Sequence, residues 1–382
     1  MQSDGFVGPA VTERLNSHEK AKRYSRIRIL LSLLETSLLF VFTLFIVLSG
    51  FSRAASGFVQ SLTLNAYFSL LLFVALLGFL ELVLLLPLSF YSGYFLEHRY
   101  GLSNQSLGRW AWEKVKSILV SMPIFVPMLL LFYFFLRELG MLWWLPVGAA
   151  VFLFSVVLAR LAPTLIYPLF YKFKPLEEGP LKERILRLCS EVGMRVEGVF
   201  SFNMSKNTKK ANAGFTGIGR SKRIVLGDTL LDRFTEEEIE TVFAHELGHY
   251  KYGHIWKGIV AGLVSTFLGL FLTARLYEAS LPWFGFTRID QLAALPLLSL
   301  WLGVYGLVAS PLKNGLSRSF EREADRFALV KTGNPGAFQS TMRKLADQNL
   351  SDVSPHPVVE FLFYSHPSVE KRVKFAESFR KQ

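Results

Sequence analysis

The chain has 382 residues, of which 51% are hydrophobic and 14% aromatic. Charged residues make up only 19%, against roughly 25% in an average soluble protein, which argues against a soluble fold and excludes a disordered chain. The single cysteine excludes a disulfide framework and a cysteine-based zinc cluster. The net charge of +12 suits nucleic acid or an anionic membrane surface, and the apolar composition favours membrane lipids with no nucleic acid as partner.

Six apolar stretches are long enough to cross a membrane as helices, which takes roughly 20 residues each. A segment such as LLLFVALLGFLELVLLLPL is apolar on every face, unlike the buried helices of a soluble core. The first stretch and its polar leader are both too long for a cleaved signal peptide. The sequence therefore predicts a mainly α, polytopic membrane helical bundle with about six transmembrane helices. They extend approximately over Ile27–Leu48, Ala66–Phe90, Ile118–Leu136, Leu142–Leu161, Ile255–Leu276 and Leu292–Leu312.

Lysine and arginine residues are concentrated in alternate loops of this bundle. They are frequent in the N-terminal leader, in the loop after the second stretch, from Lys172 onward, and again from Lys313. The other loops are poor in basic residues, with Arg53, Arg137 and Arg288. Because basic loops remain in the cytoplasm, both termini and the polar segments 171–252 and 313–382 are predicted to be cytoplasmic.

The polar segment before residue 252 combines helical and strand patterns. Apolar residues in LKERILRLCSEVG have helical spacing, and Gly193 is a plausible stop. The segments VEGVFSFNMS, ANAGFTGIG and RIVLGD are short, β-rich and bounded by turn residues, which predicts a small β-sheet. Thr235 followed by Glu238 forms a capping box, so a helix is expected from about Glu236 to Gly253.

The predicted helix contains the motif HELGH. His245 and His249 are four residues apart, so both imidazoles project from one helical face and can bind one Zn²⁺ ion. Glu246 lies between them and can act as the general base on a metal-bound water. Two solvent-exposed surface histidines are the alternative interpretation, but the apolar neighbours in VFAHEL favour a buried face.

A catalytic zinc needs a third protein ligand from another element. The segment LSRSFEREADRFALVKTG follows the sixth apolar stretch and places Glu321 and Asp325 on one helical face, with Gly333 as a plausible end. Two membrane crossings return the chain to the same side, so Glu321 can reach the metal. Asp325 is placed to accept a hydrogen bond from a zinc-bound histidine. Glu323 points off this face and is the weaker candidate ligand.

These motifs resemble those of the type I CAAX prenyl endopeptidases, integral-membrane zinc metallopeptidases of the gluzincin type. HELGHYKYGH and FEREADRFA are similar to the zinc-ligand motifs of that family. LPLSFYSGYFLEHRYGLSNQSLG, NTKKANAGFTGIG and FYSHPSVEKRV are similar to its membrane loop, its substrate-binding edge strand and its C-terminal His-Pro segment. The likeness covers approximately residues 86–372. Eukaryotic members of this family have seven membrane helices, whereas this chain has six apolar stretches. The difference suggests a bacterial-like member that lacks one helix near the N-terminus.

The resemblance implies a function and a set of site residues. It implies membrane-embedded zinc endopeptidase activity, with a water-filled chamber inside the ring of helices and one Zn²⁺ per chain. The substrates would be prenylated peptides with a CAAX motif, or other peptides in membrane-protein quality control. The implied roles are zinc binding by His245, His249 and Glu321, general-base catalysis by Glu246, oxyanion stabilisation by His366, and binding of the substrate backbone by Asn212.

Read without the resemblance, Asn212 and His366 remain open. Without it, the segment SHPS is better explained as a cap of the last helix, and NAGFTG could be an ordinary interior strand. His254 and His356 have no evident partner and are interpreted as structural residues. The predicted organisation comprises a membrane region over 1–171, the HELGH-bearing cytosolic segment over 172–254, two further membrane helices over 255–312, and a segment over 313–382 that completes the zinc site.

Three other functions compete with a protease at the membrane surface. One is a six-helix transporter or channel with a degenerate metal site, which is suggested by Glu35 and Glu81 because both lie inside apolar runs. Each of these residues is either a neutral carboxyl between helices or part of a polar chamber. A membrane chaperone with a structural zinc would need a fourth ligand, for which His254 is the nearest residue but lies on a poor face. An intramembrane protease would carry its histidines within an apolar crossing, whereas this helix begins with TEEEIE.

Overall fold

The computed structural model describes residues 9–216 and 223–379. It is mainly helical and contains one small sheet. The helices are α1 (Pro9–Leu48), α2 (Phe51–Leu62), α3 (Ala66–Phe90), α4 (Leu96–Arg99), α5 (Leu107–Glu138), α6 (Trp144–Leu161), α7 (Tyr167–Phe170), α8 (Pro180–Glu191), α9 (Asp228–Leu231), α10 (Glu236–Lys251), α11 (His254–Ser280), α12 (Leu295–Thr332), α13 (Pro335–Asn349), α14 (Pro357–Phe363) and α15 (Val369–Phe379). The strands are β1 (Phe173–Pro175), β2 (Gly198–Phe202), β3 (Ala213–Thr216) and β4 (Arg223–Gly227).

Within these described residues, six helical segments are long and apolar enough to cross a membrane, as the sequence predicts. All six extend beyond the predicted apolar stretches, most markedly the first and the last. Helix α1 begins at Pro9 rather than near Ile27, so most of the polar leader is helical. Helix α12 joins the last apolar stretch to the segment that bears Glu321 in one helix of 38 residues, which ends at Gly333 with a positive φ of 59°.

The membrane helices are packed together by a large hydrophobic cluster. This cluster, which includes Phe73, Trp143 and Tyr277, joins α1, α2, α3, α5, α6, α11 and α12 at one end. The middle parts are largely unburied, and Glu35 on α1 is exposed while Glu81 on α3 is half-buried. The interpretation of Glu35 as a carboxyl packed between helices is therefore wrong.

The sheet and its surrounding helices form a separate hydrophobic core. The strand order is β1-β2-β4-β3, with β2 and β4 parallel and both outer pairs antiparallel. Ile224 and Leu226 of β4 pack with residues of α8, α10, α12, α13 and α15. This core attaches the predicted HELGH segment and the C-terminal segment to each other. Residues 217–219 of the predicted strand segment ANAGFTGIG lie outside the described residues.

Candidate metal centre

Helix α10 presents the HELGH motif, and its start is fixed by the predicted capping box. The Thr235 hydroxyl accepts a hydrogen bond from the backbone N–H of Glu238, whose carboxylate accepts one from the backbone N–H of Thr235 at 2.9 Å. The helix ends at Lys251, two residues before the expected end. The reason is Gly253, which adopts a left-handed φ of 65° and turns the chain into α11.

Helices α10 and α12 approach closely at Gly248. A Cβ atom at this position would lie 2.9 Å from Cα of Ala324 and 3.1 Å from Cβ of Phe327, so only glycine allows this approach. Phe243 and Leu247 of α10 are buried in the core on either side of His245. The glycine of HELGH thus lets the carboxylates of α12 reach the histidines of α10.

The three predicted metal ligands converge at this helix crossing. Nε2 of His245 lies 3.2 Å from Oε2 of Glu321 and 3.2 Å from Nε2 of His249, and Nε2 of His249 lies 3.3 Å from Oε1 of Glu321. Four ligands at about 2.0–2.1 Å from a tetrahedral ion would be about 3.3 Å apart. The spacing of these atoms therefore fits a small tetrahedral divalent ion.

The donor set also fits a metal chemically. Nδ1 of His245 lies 2.8 Å from Oδ1 of Asp325, so in its neutral, metal-binding form the imidazole would carry its proton on Nδ1 and leave the lone pair of Nε2 for an ion. Oε2 of Glu321 is buried and accepts no hydrogen bond among the described residues. Burial disfavours a charge on His245, but its contacts with Asp325 and Glu321 raise its pKa to about 9 overall. A cation is therefore favoured between His245 and Glu321.

Glu246 lies beside this group in a cleft of about 590 Å³ that His249 and Phe215 also line. Burial raises the pKa of the Glu246 carboxyl, while the two neighbouring histidines lower it; the net direction is upward. A carboxylate with a raised pKa is suited to accepting a proton near neutral pH. The cleft adjoins α11, so it connects the group to the membrane bundle.

The C-terminal segment contributes two side chains to the same group. Nε2 of His366 lies 3.3 Å from Oε1 of Glu321, and its Nδ1 lies 2.9 Å from the hydroxyl of Ser365. His366 therefore lies at the metal group and is not only part of a helix cap. Arg372 donates two hydrogen bonds to Asp325, at 2.8 and 2.5 Å. The sequence offered no local signal for Arg372, because this contact joins residues 47 positions apart.

Asn212 immediately precedes β3, at the edge of the sheet. The backbone carbonyl of Asn212 accepts a hydrogen bond from Gly227 of β4 at 2.9 Å, and its side chain is exposed. Backbone groups alternate in direction along an antiparallel strand, so those of Ala213 and Phe215 face the free edge. Phe215 packs on Phe243 of α10, with ring centroids 5.5 Å apart, which places this edge next to the helix of the HELGH motif.

His254 and Glu323 have specific partners that the sequence interpretation missed. Nδ1 of His254 lies 3.0 Å from Nδ1 of His249, on the side of the ring away from Glu321. Nε2 of His254 lies 3.0 Å from Oε2 of Glu323. The reading of His254 as a residue without a partner is therefore wrong, and neither residue is placed as a fourth ligand. His356, by contrast, accepts a hydrogen bond from Val358 as the N-cap of α14.

Comparison with known proteins assigns the chain to a family. Residues 175–380 match the model of peptidase family M48, and residues 10–172 match the N-terminal region of CAAX prenyl proteases, described as five membrane helices. In that region the described residues contain four helices long enough to cross a membrane, and the twelve-residue α2 is too short.

Individual relatives agree with this assignment. The chain is 32% identical over 361 residues to the uncharacterized metalloprotease YhfN of Bacillus subtilis, covering 94% of this chain and 84% of that protein. It is 31% identical over 327 residues to CAAX prenyl protease 1 of Saccharomyces cerevisiae, covering 79% and 71%. The crystal structure of S. mikatae Ste24p superposes with a TM-score of 0.83 at 26% identity, covering 95% of this chain and 89% of that one. The chain therefore belongs to peptidase family M48 and is a multi-pass membrane metalloendopeptidase.

Proposed function

We propose that the protein is a zinc endopeptidase whose metal is held by His245, His249 and Glu321. The observation that carries the proposal is the convergence of the two imidazole Nε2 atoms and the Glu321 carboxylate, with contacts of 3.2–3.3 Å, beside the Glu246 carboxyl. His254 contacts Nδ1 of His249, on the side of that ring away from Glu321. An ion held by His245, His249 and Glu321 would therefore have three protein ligands and could bind water, as in a catalytic rather than a structural site. This argues against the chaperone with a structural zinc.

Each side chain then has a defined role in peptide hydrolysis. The bound ion would supply Lewis-acid polarisation of the scissile carbonyl and a water of lowered pKa. Glu246 accepts the proton of the attacking water and delivers it to the leaving amine. His366 would donate a hydrogen bond to the developing oxyanion; its contact of 3.3 Å with Oε1 of Glu321 supports this role. Asp325 holds His245 in the tautomer that can bind the metal.

The free edge of β3 would bind the substrate backbone. The outward N–H and C=O groups of Ala213 and Phe215 can pair with an extended peptide, and the exposed amide of Asn212 lies at the start of the same edge. Affinity would come from backbone hydrogen bonds, so the enzyme would tolerate different residues around the scissile bond. Helix α10 is not among the six membrane-crossing helices, which favours cleavage at the membrane surface over cleavage within the bilayer.

The distribution of basic residues supports an active site and both termini in the cytoplasm. The similarity to CAAX prenyl protease 1 supports prenylated peptides as substrates, with unmodified peptides in membrane-protein quality control as the broader class. An interior chamber within the ring of membrane helices, which the family resemblance implies, would accept a lipid-modified or extended chain.

The test is cleavage of paired peptides by the purified full-length protein. Farnesylated and unmodified forms of one CAAX peptide are incubated in parallel, and the products are mapped by mass spectrometry alongside the zinc content per chain. We expect one zinc per chain, loss of cleavage after chelation with 1,10-phenanthroline, and faster cleavage of the farnesylated form. Equal cleavage rates for the two forms would show that the enzyme does not require a prenyl group and would favour the broader class of unmodified peptides. Cleavage that persists in metal-free protein would overturn the zinc mechanism, and flux of ions across liposomes without cleavage would favour a transporter.

A further inference from the structure

We infer that His254 and Glu323 are positioning residues that fix the tautomer of His249 for metal binding. The contacts that join these residues run from the Glu323 carboxylate through both nitrogens of His254 to Nδ1 of His249. The inference rests on the proposed ligand set, since it concerns how one of those ligands is held.

Only one placement of protons satisfies these contacts with neutral imidazoles. Oε2 of Glu323 can only accept, so Nε2 of His254 carries a proton and donates it at 3.0 Å. Nδ1 of His254 then has a lone pair and accepts from Nδ1–H of His249 at 3.0 Å. Nε2 of His249 is left with its lone pair directed at the group formed with His245 and Glu321. A carboxylate that never touches the metal thus decides which nitrogen of His249 can bind it.

The position of the His254 ring is fixed by packing. Its side chain is 3% exposed, and the ring stacks on Phe320 with centroids 4.4 Å apart and an interplanar angle of 10°. The left-handed turn at Gly253 folds the chain back so that the first residue of α11 faces the last turn of α10. Phe320 and Glu323 both belong to α12, the helix that carries Glu321. The same helix therefore supplies one metal ligand and the support of another.

The two histidine ligands are supported in different ways. Asp325 contacts His245 directly and is itself buried and paired with Arg372. Glu323 acts through His254 and is 47% exposed, with Lys257 at 3.7 Å as a second partner. Mutation of a residue that hydrogen-bonds a metal-bound histidine typically lowers metal affinity by about 10- to 100-fold. Loss of either His254 or Glu323 should therefore weaken zinc binding, although neither residue is a ligand.

The test measures the zinc dissociation constant of full-length variants by competition with a chromophoric chelator. His254→Phe keeps a ring that can stack on Phe320 but has no nitrogen, and Glu323→Ala removes the carboxylate at an exposed position. We expect both to raise the dissociation constant by about tenfold or more. His254→Gln and Glu323→Gln should stay closer to wild type, because each retains an oxygen that can accept the required hydrogen bond. Lys257→Met is the matched control, since it removes the other partner of Glu323, and should bind zinc as wild type does.

Wild-type affinity in both His254→Phe and Glu323→Ala would overturn the inference while leaving the ligand set intact. If His254→Phe does not fold, the comparison of Glu323→Ala with Glu323→Gln decides the question, because Glu323 is exposed and its replacement should not prevent folding. Absence of zinc binding by the wild-type protein would overturn the proposed ligand set and, with it, this inference. Turnover at saturating zinc is expected to recover in the His254→Phe and Glu323→Ala variants, unlike in a variant that lacks the base.

Discussion

Arg372 and Asp325 form a bidentate ion pair directly behind the metal group. The guanidinium donates from Nε and from one terminal nitrogen, and the carboxylate also contacts Nδ1 of His245. Both side chains are almost fully buried, at 12% and 2% exposure. Through Asp325, helix α15 therefore helps to fix the position of His245, which lies more than 120 residues earlier in the chain.

Replacing Arg372 by methionine should destabilise the protein and weaken its metal binding. The buried carboxylate of Asp325 would lose its charged partner, and breaking a buried pair in this way typically costs about 3–5 kcal/mol. We expect a clear fall in Tm and partial loss of zinc after dialysis. Lys374→Met on the same helix removes an exposed pair with Glu370 and should leave both quantities unchanged. An unaltered Tm in Arg372→Met would show that Asp325 finds another partner.

Replacing Glu246 by glutamine should separate metal binding from catalysis. The amide keeps the size of the side chain but cannot accept the proton of the attacking water, so turnover should fall by about 10²- to 10⁴-fold. Zinc content should remain near one per chain, because Glu246 is not one of the three converging ligands. Turnover and zinc content are measured on the same preparation. A fully active variant would exclude Glu246 as the base.

Replacing Gly248 by alanine should disturb the metal group without changing a ligand. The new methyl group would meet backbone atoms of Ala324 at 2.9 Å, so α10 and α12 must move apart. We expect weaker zinc binding and a lower Tm, and a larger effect for valine than for alanine. Gly78→Ala in α3 is the control, because nothing lies within 4 Å of a Cβ atom there. Equal behaviour of the two alanine variants would contradict this account.

Replacing Ala213 by proline should impair substrate binding selectively. The change removes one outward N–H from β3, and proline is tolerated where a strand N–H faces away from the sheet. We expect KM to rise, with Tm and zinc content near wild type. Asn212→Ala should shift KM in the same direction if its amide binds the substrate backbone. Unchanged KM in both variants would remove β3 from the substrate site.

The start of α10 should make stability depend on pH in the acid range. Burial opposes the charge of Glu238, but hydrogen bonds from Lys344, Ser340 and Thr235 lower its pKa below the ordinary value. A carboxyl with a lowered folded-state pKa stabilises the protein above its ordinary pKa of about 4.3, and this contribution is lost as the pH falls further. The Tm difference between wild type and Glu238→Gln should therefore be largest near pH 7 and shrink below pH 4. A difference that is constant with pH would assign the stabilisation to packing.

Local sequence patterns were sufficient for the membrane helices and for the two histidines of HELGH, whereas Glu321 was placed at the metal by the topology of the chain. Apolar run length identifies a crossing, and the spacing of His245 and His249 fixes their common face, whatever the rest of the chain does. Non-local contacts decided the remainder. Helix α1 extends through a polar leader because Ala21 and Tyr24 are buried against Leu96 and Tyr100, which no periodicity of the leader reveals. Likewise His254 gained its partner from a helix 69 residues away.

Helix α12 continues without interruption from the apolar bundle to Glu321. At a rise of 1.5 Å per residue, the nine residues from Leu312 to Glu321 set the carboxylate about 14 Å beyond the end of the apolar stretch. The separation of Glu321 from the end of the apolar stretch, measured along the helix axis, is thus set within a single helix. For a substrate anchored in the same bilayer, a separation set in this way would favour cleavage at a constant distance from the anchor.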